Sequence, residues 1–277
     1  RVFELKGRPA DHPLIVHVGS IEQARDCAAD WPDAADQLAQ SFWPGPLTLV
    51  LPKSETIDAA ITAGQDTVAL RMPDHPLALT VLRAAGVPFV APSANLFTQL
   101  SPTRAEDVAS AFSSDDVRVV DGGPCQVGIE STILALDAEQ RVARVLRPGM
   151  VTPAELQSAL PIDWSIDQRD ETSTRAPGQM AVHYRPAQAL RVEVLADASA
   201  LEDRLQSLQS SGAAVLTLPD SASEAARLLY RLLREPEAAT SDELILLLRQ
   251  AQIDDPAWQG IVNRLTKAAS RWIGASS

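Results

Sequence analysis

Cysteine is nearly missing, with only Cys27 and Cys125 in 277 residues. Two unpatterned cysteines exclude a disulfide framework and a zinc site, so a reducing setting, the cytoplasm, is expected. Aromatic side chains make up 4% of the chain, which leaves few rings to stack on bases. No apolar run approaches the roughly 18 to 20 residues that span a bilayer, and no basic-then-apolar leader opens the chain. Neither a membrane span nor export is expected. The glycine signatures GxxxxGK[ST] and GxGxxG are absent, so a bound nucleotide would have to meet side-chain cations and a different loop set. Positive charge is also in deficit, 24 Lys and Arg against 36 Asp and Glu, for a formal charge of -12. Most of such a surface repels a polyphosphate, while a local cationic cleft for a small anion remains compatible.

At roughly 150 residues per domain, 277 residues predict two domains, each able to bury a core. The run Pro13 to Val18 predicts a strand, followed by a helix through "SIEQARDCAAD", with Ser20 and Gln23 spaced as a capping box. "DAADQLAQSF" continues helically to the "WPGP" break; "LTLVLP" and "TVALRMP" read as strands. "HPLALTVLRAAG" predicts an amphipathic helix closing on Gly86, and "VPFVAPSAN" a strand entering a loop. Thr103 and Glu106 are spaced as a second capping box. "VRVVDGG", "STILALD" and "ARVLRPG" read as three short strands, and Thr152, Pro153 and Glu155 as a helix start.

This mixture implies an α/β domain with a twisted mixed sheet over residues 1–162. Residues 163–189 lack periodicity and read as a linker. From 190 to 277 strands and helices alternate regularly, which implies a small Rossmann-like parallel α/β domain without the glycine fingerprint.

Candidate site residues cluster in four places. Lys6 and Arg8 are two apart, so in an extended segment both heads share a face and can clamp anionic oxygens; solvated charge is the alternative. Ser93 and Asn95 of "APSAN" follow a buried-looking strand, where α/β sheets bind ligands, although a turn uses the same residues. Arg71, inside an apolar strand, must reach solvent or an anion. "DGGPCQVGIESTI" can turn backbone N–H groups toward an anion or simply form a hairpin turn. Cys125 has no histidine near it in sequence, and His12 and His17 lack helical metal-site spacing, so ligand contacts are preferred over metal ligation.

In order, "KGRPADHPLIVHV", "FWPGPLTLVLP", "VALRMPDHP", "VPFVAPSAN", "SPT", "DGGPCQVGIESTI", "VLRPG" and "APGQMAVHYRP" resemble the threonylcarbamoyl-AMP synthase family in its long form. That form has a YrdC-like catalytic domain and an extra C-terminal domain. The resemblance implies condensation of L-threonine with bicarbonate to a carbamate, which attacks the α-phosphorus of ATP and expels pyrophosphate. The product would serve separate transferase proteins that modify tRNA, with direct tRNA binding weak or absent. Mg²⁺ would ride on the triphosphate. Carried over by motif, Lys6 and Arg8 would be catalytic, with Lys6 neutralising bicarbonate or developing phosphate charge. Arg8, His12, Thr67, Ser93, Asn95, Ser101, Arg147 and Tyr184 would line the ATP site. His17, Arg71 and Ser131 would hold threonine, Arg71 pairing its carboxylate.

The family's opening Pro-Thr-Glu-Thr-like segment has no counterpart, and "RVFELKG" reads as a helix end, so an N-terminal segment is expected to be missing. His12 stands where the family more often has asparagine, and "PGQMAVHYRP" departs from the commoner linker version. Two other functions compete. A double-stranded RNA-binding module is disfavoured by the -12 charge and the scarcity of aromatics. A carbamoyl-adenylate enzyme with another donor, as in hydrogenase maturation, would bring an accessory acylphosphatase or zinc-finger region, and none is visible.

Overall fold

The computed structural model describes residues 1–168, 177, 183–234 and 242–274. Two compact units form, one from Arg1–Ser93 with Glu130–Gln179 and the other from Ala94–Ile129 with Met180–Ser277. Residues 94–129, which lie inside the domain expected over 1–162, cluster with the C-terminal unit. Within the linker expected over 163–189, residues 165–167 form a strand and another strand begins at Ala189, while 169–176 and 178–182 lie outside the described residues. Among the described residues no helix is long and apolar enough to cross a membrane.

The first unit is built on a seven-stranded mixed sheet. Its strands are β1 (Ile15–His17), β2 (Leu47–Pro52), β3 (Thr67–Arg71), β4 (Phe89–Val90), β5 (Thr132–Asp137), β6 (Val142–Arg147) and β7 (Ser165–Asp167). The spatial order is β4-β1-β3-β2-β5-β6-β7. β1 runs parallel to β3 and β2 parallel to β5, whereas β2 pairs antiparallel with β3 and β5 with β6.

Side chains alternate across a strand, so each strand splits between two faces. Val16, Leu47, Leu49, Leu51, Val68, Leu70, Leu134 and Leu136 join the main core, beside buried residues of the helices Ile21–Cys27, Asp33–Phe42 and Pro153–Ala159. The opposite face carries a smaller apolar floor of Ile15, Val50, Ala69, Ile133, Ala135 and Leu146. Helix ends follow the expected chemistry. Ser20 Oγ accepts from Gln23 N, Thr152 and Glu155 form a reciprocal box, and Gly86 closes Pro76–Ala85 at φ 67°.

The second unit has a four-stranded, all-parallel sheet. Its strands are β8 (Ala189–Leu195), β9 (Ala214–Thr217), β10 (Glu243–Arg249) and β11 (Arg271–Ile273), the last not foreseen from sequence. β10 is buried at Leu244 to Leu248, as a central parallel strand must be. Residues 94–129 are fastened here by Arg234, whose Nη1 donates to Asp107 Oδ2 (3.1 Å) and Nη2 to the Leu100 and Ser101 carbonyls (both 3.0 Å).

Two local expectations are corrected in this unit. "VRVVDGG" forms no strand: Val119 and Val120 are 37% and 69% exposed, and among the described residues no strand pairs with them. The capping box expected at Thr103 and Glu106 is made instead by Asp107, which accepts from Thr103 N, Thr103 Oγ1 and Arg104 N. Burial alone would raise the Asp107 carboxyl. The Thr103 N–H, the Arg234 charge and the Arg104 N–H together hold it below the usual carboxylate range.

Candidate active site

The register of the first sheet sets polar side chains in a row along one end of its floor. His17 pairs with Arg71 across β1 and β3, and the Leu49–Leu70 pairing places Thr48 across from Arg71. On the far side of β2, Thr48 pairs with Ile133, next to Ser131, and Ile133 pairs with Arg147. Five adjacent strands, β1, β3, β2, β5 and β6, each bring one polar group to the row, counting Ser131 at the entrance to β5. At about 4.8 Å between strands, such a row is about 19 Å long.

Arg147 owes its aim to an irregularity. The register shifts between Ile133 and Leu134, so Leu146 and Arg147 both fall opposite the Ile133 side, as an extra residue in a bulge does. The guanidinium then reaches Ser131: Nε and Nη2 donate to its carbonyl at 3.1 and 2.9 Å, and Nη2 to its Oγ at 3.1 Å. Nη1 donates to the Pro177 carbonyl at 3.0 Å. Ser131 Oγ lies 2.7 Å from Thr48 Oγ1. Gly149 approaches so closely that a Cβ there would sit 2.4 Å from Thr132 N. Arg71 is steadied by Nε donating to the Gly45 carbonyl at 3.0 Å, while Gly45 N donates to the Met72 carbonyl.

His17 sits beside that cation. Burial first, and then the Arg71 charge, lower its pKa to about 4, so the imidazole is neutral near pH 7. Its Nδ1 is buried with no hydrogen-bond partner among the described residues.

The other cations gather at the opposite end of β1. Lys6 closes the short helix Val2–Lys6, and Gly7 at φ 62° turns the chain, with Gly7 N and Arg8 N capping the Glu4 and Phe3 carbonyls. The Lys6–Arg8 pair is therefore a helix C-cap and not the extended segment expected from its spacing. The two heads still lie near each other. Lys6 is 6% exposed, and burial, with Arg8 second, lowers its pKa to about 8. Lys6 Nζ donates to the Ser93 carbonyl at 2.5 Å and Arg8 Nη2 to the Pro13 carbonyl at 3.0 Å. β4 runs antiparallel to β1, and this carries Ser93 back toward the residues preceding β1. Thr67 begins β3 at that same end, two residues before the Ala69 that pairs with Ile15. His12 Nε2 lies 3.8 Å from Asp11 Oδ1.

Asn95, Ser101 and Tyr184 belong to the second unit. Asn95 Nδ2 donates to the Leu96 and Gln99 carbonyls at 2.7 and 3.1 Å, which folds its own loop. Tyr184 is 1% exposed, with its ring 4.0 Å from His183 and 5.7 Å from Tyr230, and the Arg264 guanidinium 5.7 Å above it. A ring enclosed in that way packs against neighbours within its own unit. Thr48 was overlooked in the sequence, although a single polar residue inside "LTLVLP" was the available signal.

The class defined by the fold is an α/β protein with cations and hydroxyls set on one face of a mixed sheet, groups of the kind that receive anionic oxygens. Residues 1–149 match the family described as Telomere recombination, and residues 151–270 match the threonylcarbamoyl-AMP synthase C-terminal domain. The chain is 36% identical to a threonylcarbamoyl-AMP synthase of Pyrococcus abyssi, over 97% of this chain and 83% of the relative. It is 42% identical to that of Bacillus subtilis, over 69% of this chain and 56% of the relative. A crystal structure of P. abyssi Sua5 complexed with L-threonine aligns with a TM-score of 0.83 at 33% identity, covering 100% of this chain and 86% of that one. The chain belongs to the threonylcarbamoyl-AMP synthase family.

Proposed function

We propose that this enzyme joins L-threonine, bicarbonate and ATP into threonylcarbamoyl-AMP and pyrophosphate. The observation that carries the reading is the row His17, Arg71, Thr48, Ser131, Arg147 along one end of the floor. The threonine amine and bicarbonate condense with loss of water. A carbamate oxygen then bonds to the α-phosphorus as the bond to the pyrophosphate leaving group breaks. Such chemistry needs positioning and charge neutralisation more than a protein nucleophile.

Arg71 and Ser131 receive the threonine carboxylate, and neutral His17 faces its hydroxyl or amine. Lys6 and Arg8, about four residues of strand away, or about 13 Å, meet carbamate and phosphate oxygens. His12, Thr67 and Ser93 share that end and are assigned to ATP; Asn95 and Ser101 are assigned to it on their motifs alone. Arg147, expected at ATP, has its guanidinium bonds on Ser131 and Pro177 and is assigned to holding Ser131. Among the described residues no cluster of three or more His, Cys, Asp or Glu could hold a metal ion. Mg²⁺ would be brought by the nucleotide substrate and would offset charge on its phosphate oxygens. The setting is the cytoplasm, and the product passes to transferase proteins that modify tRNA. Incubation with ATP-Mg²⁺ and bicarbonate, with and without threonine, tests the reading through pyrophosphate release. Release that does not depend on threonine refutes it.

A further inference from the structure

We infer that Thr48 is a positioning residue that makes Ser131 a hydrogen-bond donor toward its ligand, so the ligand group received there must be an acceptor oxygen. The inference rests on the threonine-binding reading above. A hydroxyl has one proton to give and two lone pairs to fill. Arg147 Nη2, which can only donate, fills one lone pair of Ser131 Oγ from 3.1 Å. Thr48 Oγ1 lies 2.7 Å from the same oxygen, and among the described residues it is the one side-chain partner of the Thr48 hydroxyl. Thr48 is 0% exposed, so bulk water does not serve its hydroxyl.

Two protons share this short chain, and the ligand decides which of them is satisfied. With an acceptor bound, Thr48 donates to Ser131, Ser131 donates to the ligand, and every proton has a partner. With a donor bound, Ser131 must turn its proton back to Thr48, and the Thr48 proton is left buried and unmade. An unmade buried donor costs far more than a made one contributes, which is how a polar site rejects the wrong group. Thr48 also lies across from Arg71 in the β2–β3 register, so the accepted oxygen is received beside a cation. An acceptor beside a cation is a carboxylate, and this orients the amino acid with its carboxylate on the row.

The test measures binding of L-threonine and of 1-aminopropan-2-ol, which is threonine without its carboxylate and so without the acceptor, to the wild-type chain, Thr48→Val and Thr48→Ser. Thr48→Val should weaken threonine binding about tenfold, or about 1.4 kcal/mol. It should also narrow the preference for threonine over 1-aminopropan-2-ol by about the same factor, with ATP affinity held within about twofold. Thr48→Ser, which keeps the hydroxyl, should restore both values to within about threefold of wild type. A Thr48→Val chain with unchanged threonine affinity and unchanged preference overturns the inference. If that variant does not fold, Thr48→Ser alone decides, because loss of the preference in a chain that keeps the hydroxyl also overturns it. A wild-type chain that binds no threonine refutes the functional reading itself, a result distinct from either of these.

Discussion

Raising the pH from 7 to 9 should switch off Lys6 while leaving every arginine charged. Burial and the neighbouring Arg8 hold the Lys6 pKa at about 8. The protonated share then falls from about ten in eleven at pH 7 to about one in eleven at pH 9, about a tenfold loss of the competent form. If the charged head meets carbamate and phosphate oxygens, kcat/KM for ATP falls by up to about tenfold over that range, since this parameter reports the free enzyme. Lys6→Arg keeps its charge and should give a flat profile, which also controls for titration of the substrates. Lys6→Gln should be slow and flat. Stability moves the other way. The folded-state pKa lies below the ordinary 10.5, so the native chain binds fewer protons than the unfolded one between about 8 and 10.5. The cost of charging buried Lys6 is full below pH 8 and lifts as pH rises through that window. A wild-type kcat/KM that stays flat from pH 7 to 9, or a Lys6→Arg profile that falls in parallel with wild type, refutes the reasoning.

Arg71→Ala should raise the threonine KM about a hundredfold, the effect of losing one charge-assisted contact of about 2.7 kcal/mol. In the same variant His17, measured by NMR titration, should move up from about 4 yet stay below its ordinary value, because burial is the larger cause; an unmoved His17 contradicts the pairing. Arg234→Ala leaves the Asp107 carboxylate and the Leu100 and Ser101 carbonyls short of a donor. It should lower stability in urea by about 2 kcal/mol, and a change under about 0.5 kcal/mol would show that other groups fasten this segment. Gly149→Ala drives a Cβ to 2.4 Å from Thr132 N and 2.7 Å from Thr132 Oγ1. The backbone at the entrance to β5 must give way, at about 1–3 kcal/mol in a denaturant melt, and an unchanged midpoint would show that it moves freely.

Much of this protein was legible from local patterns. The alternation in "LTLVLP" and "TVALRMP", the proline and serine helix starts, and the regular β/α alternation after residue 190 each reflect a periodicity or cap that neighbouring residues impose. Ordered motifs from Lys6 to Pro186 also carried the family. Where a local pattern had no partner it misled: "VRVVDGG" has β-branched residues but no strand beside it, and Lys6-Gly7-Arg8 looked extended until Gly7 took a left-handed turn.

The chain alone determined which residues are apolar, which positions alternate, and that its cations are few and grouped. Only the tertiary structure decided that Thr48 lies between Arg71 and Ser131, and that a register shift aims Arg147 at Ser131. It also decided that residues 94–129 fold with the C-terminal unit. Periodicity is a property of neighbours along the chain. Register and partner choice join residues scores of positions apart, and they are set by which faces pack together.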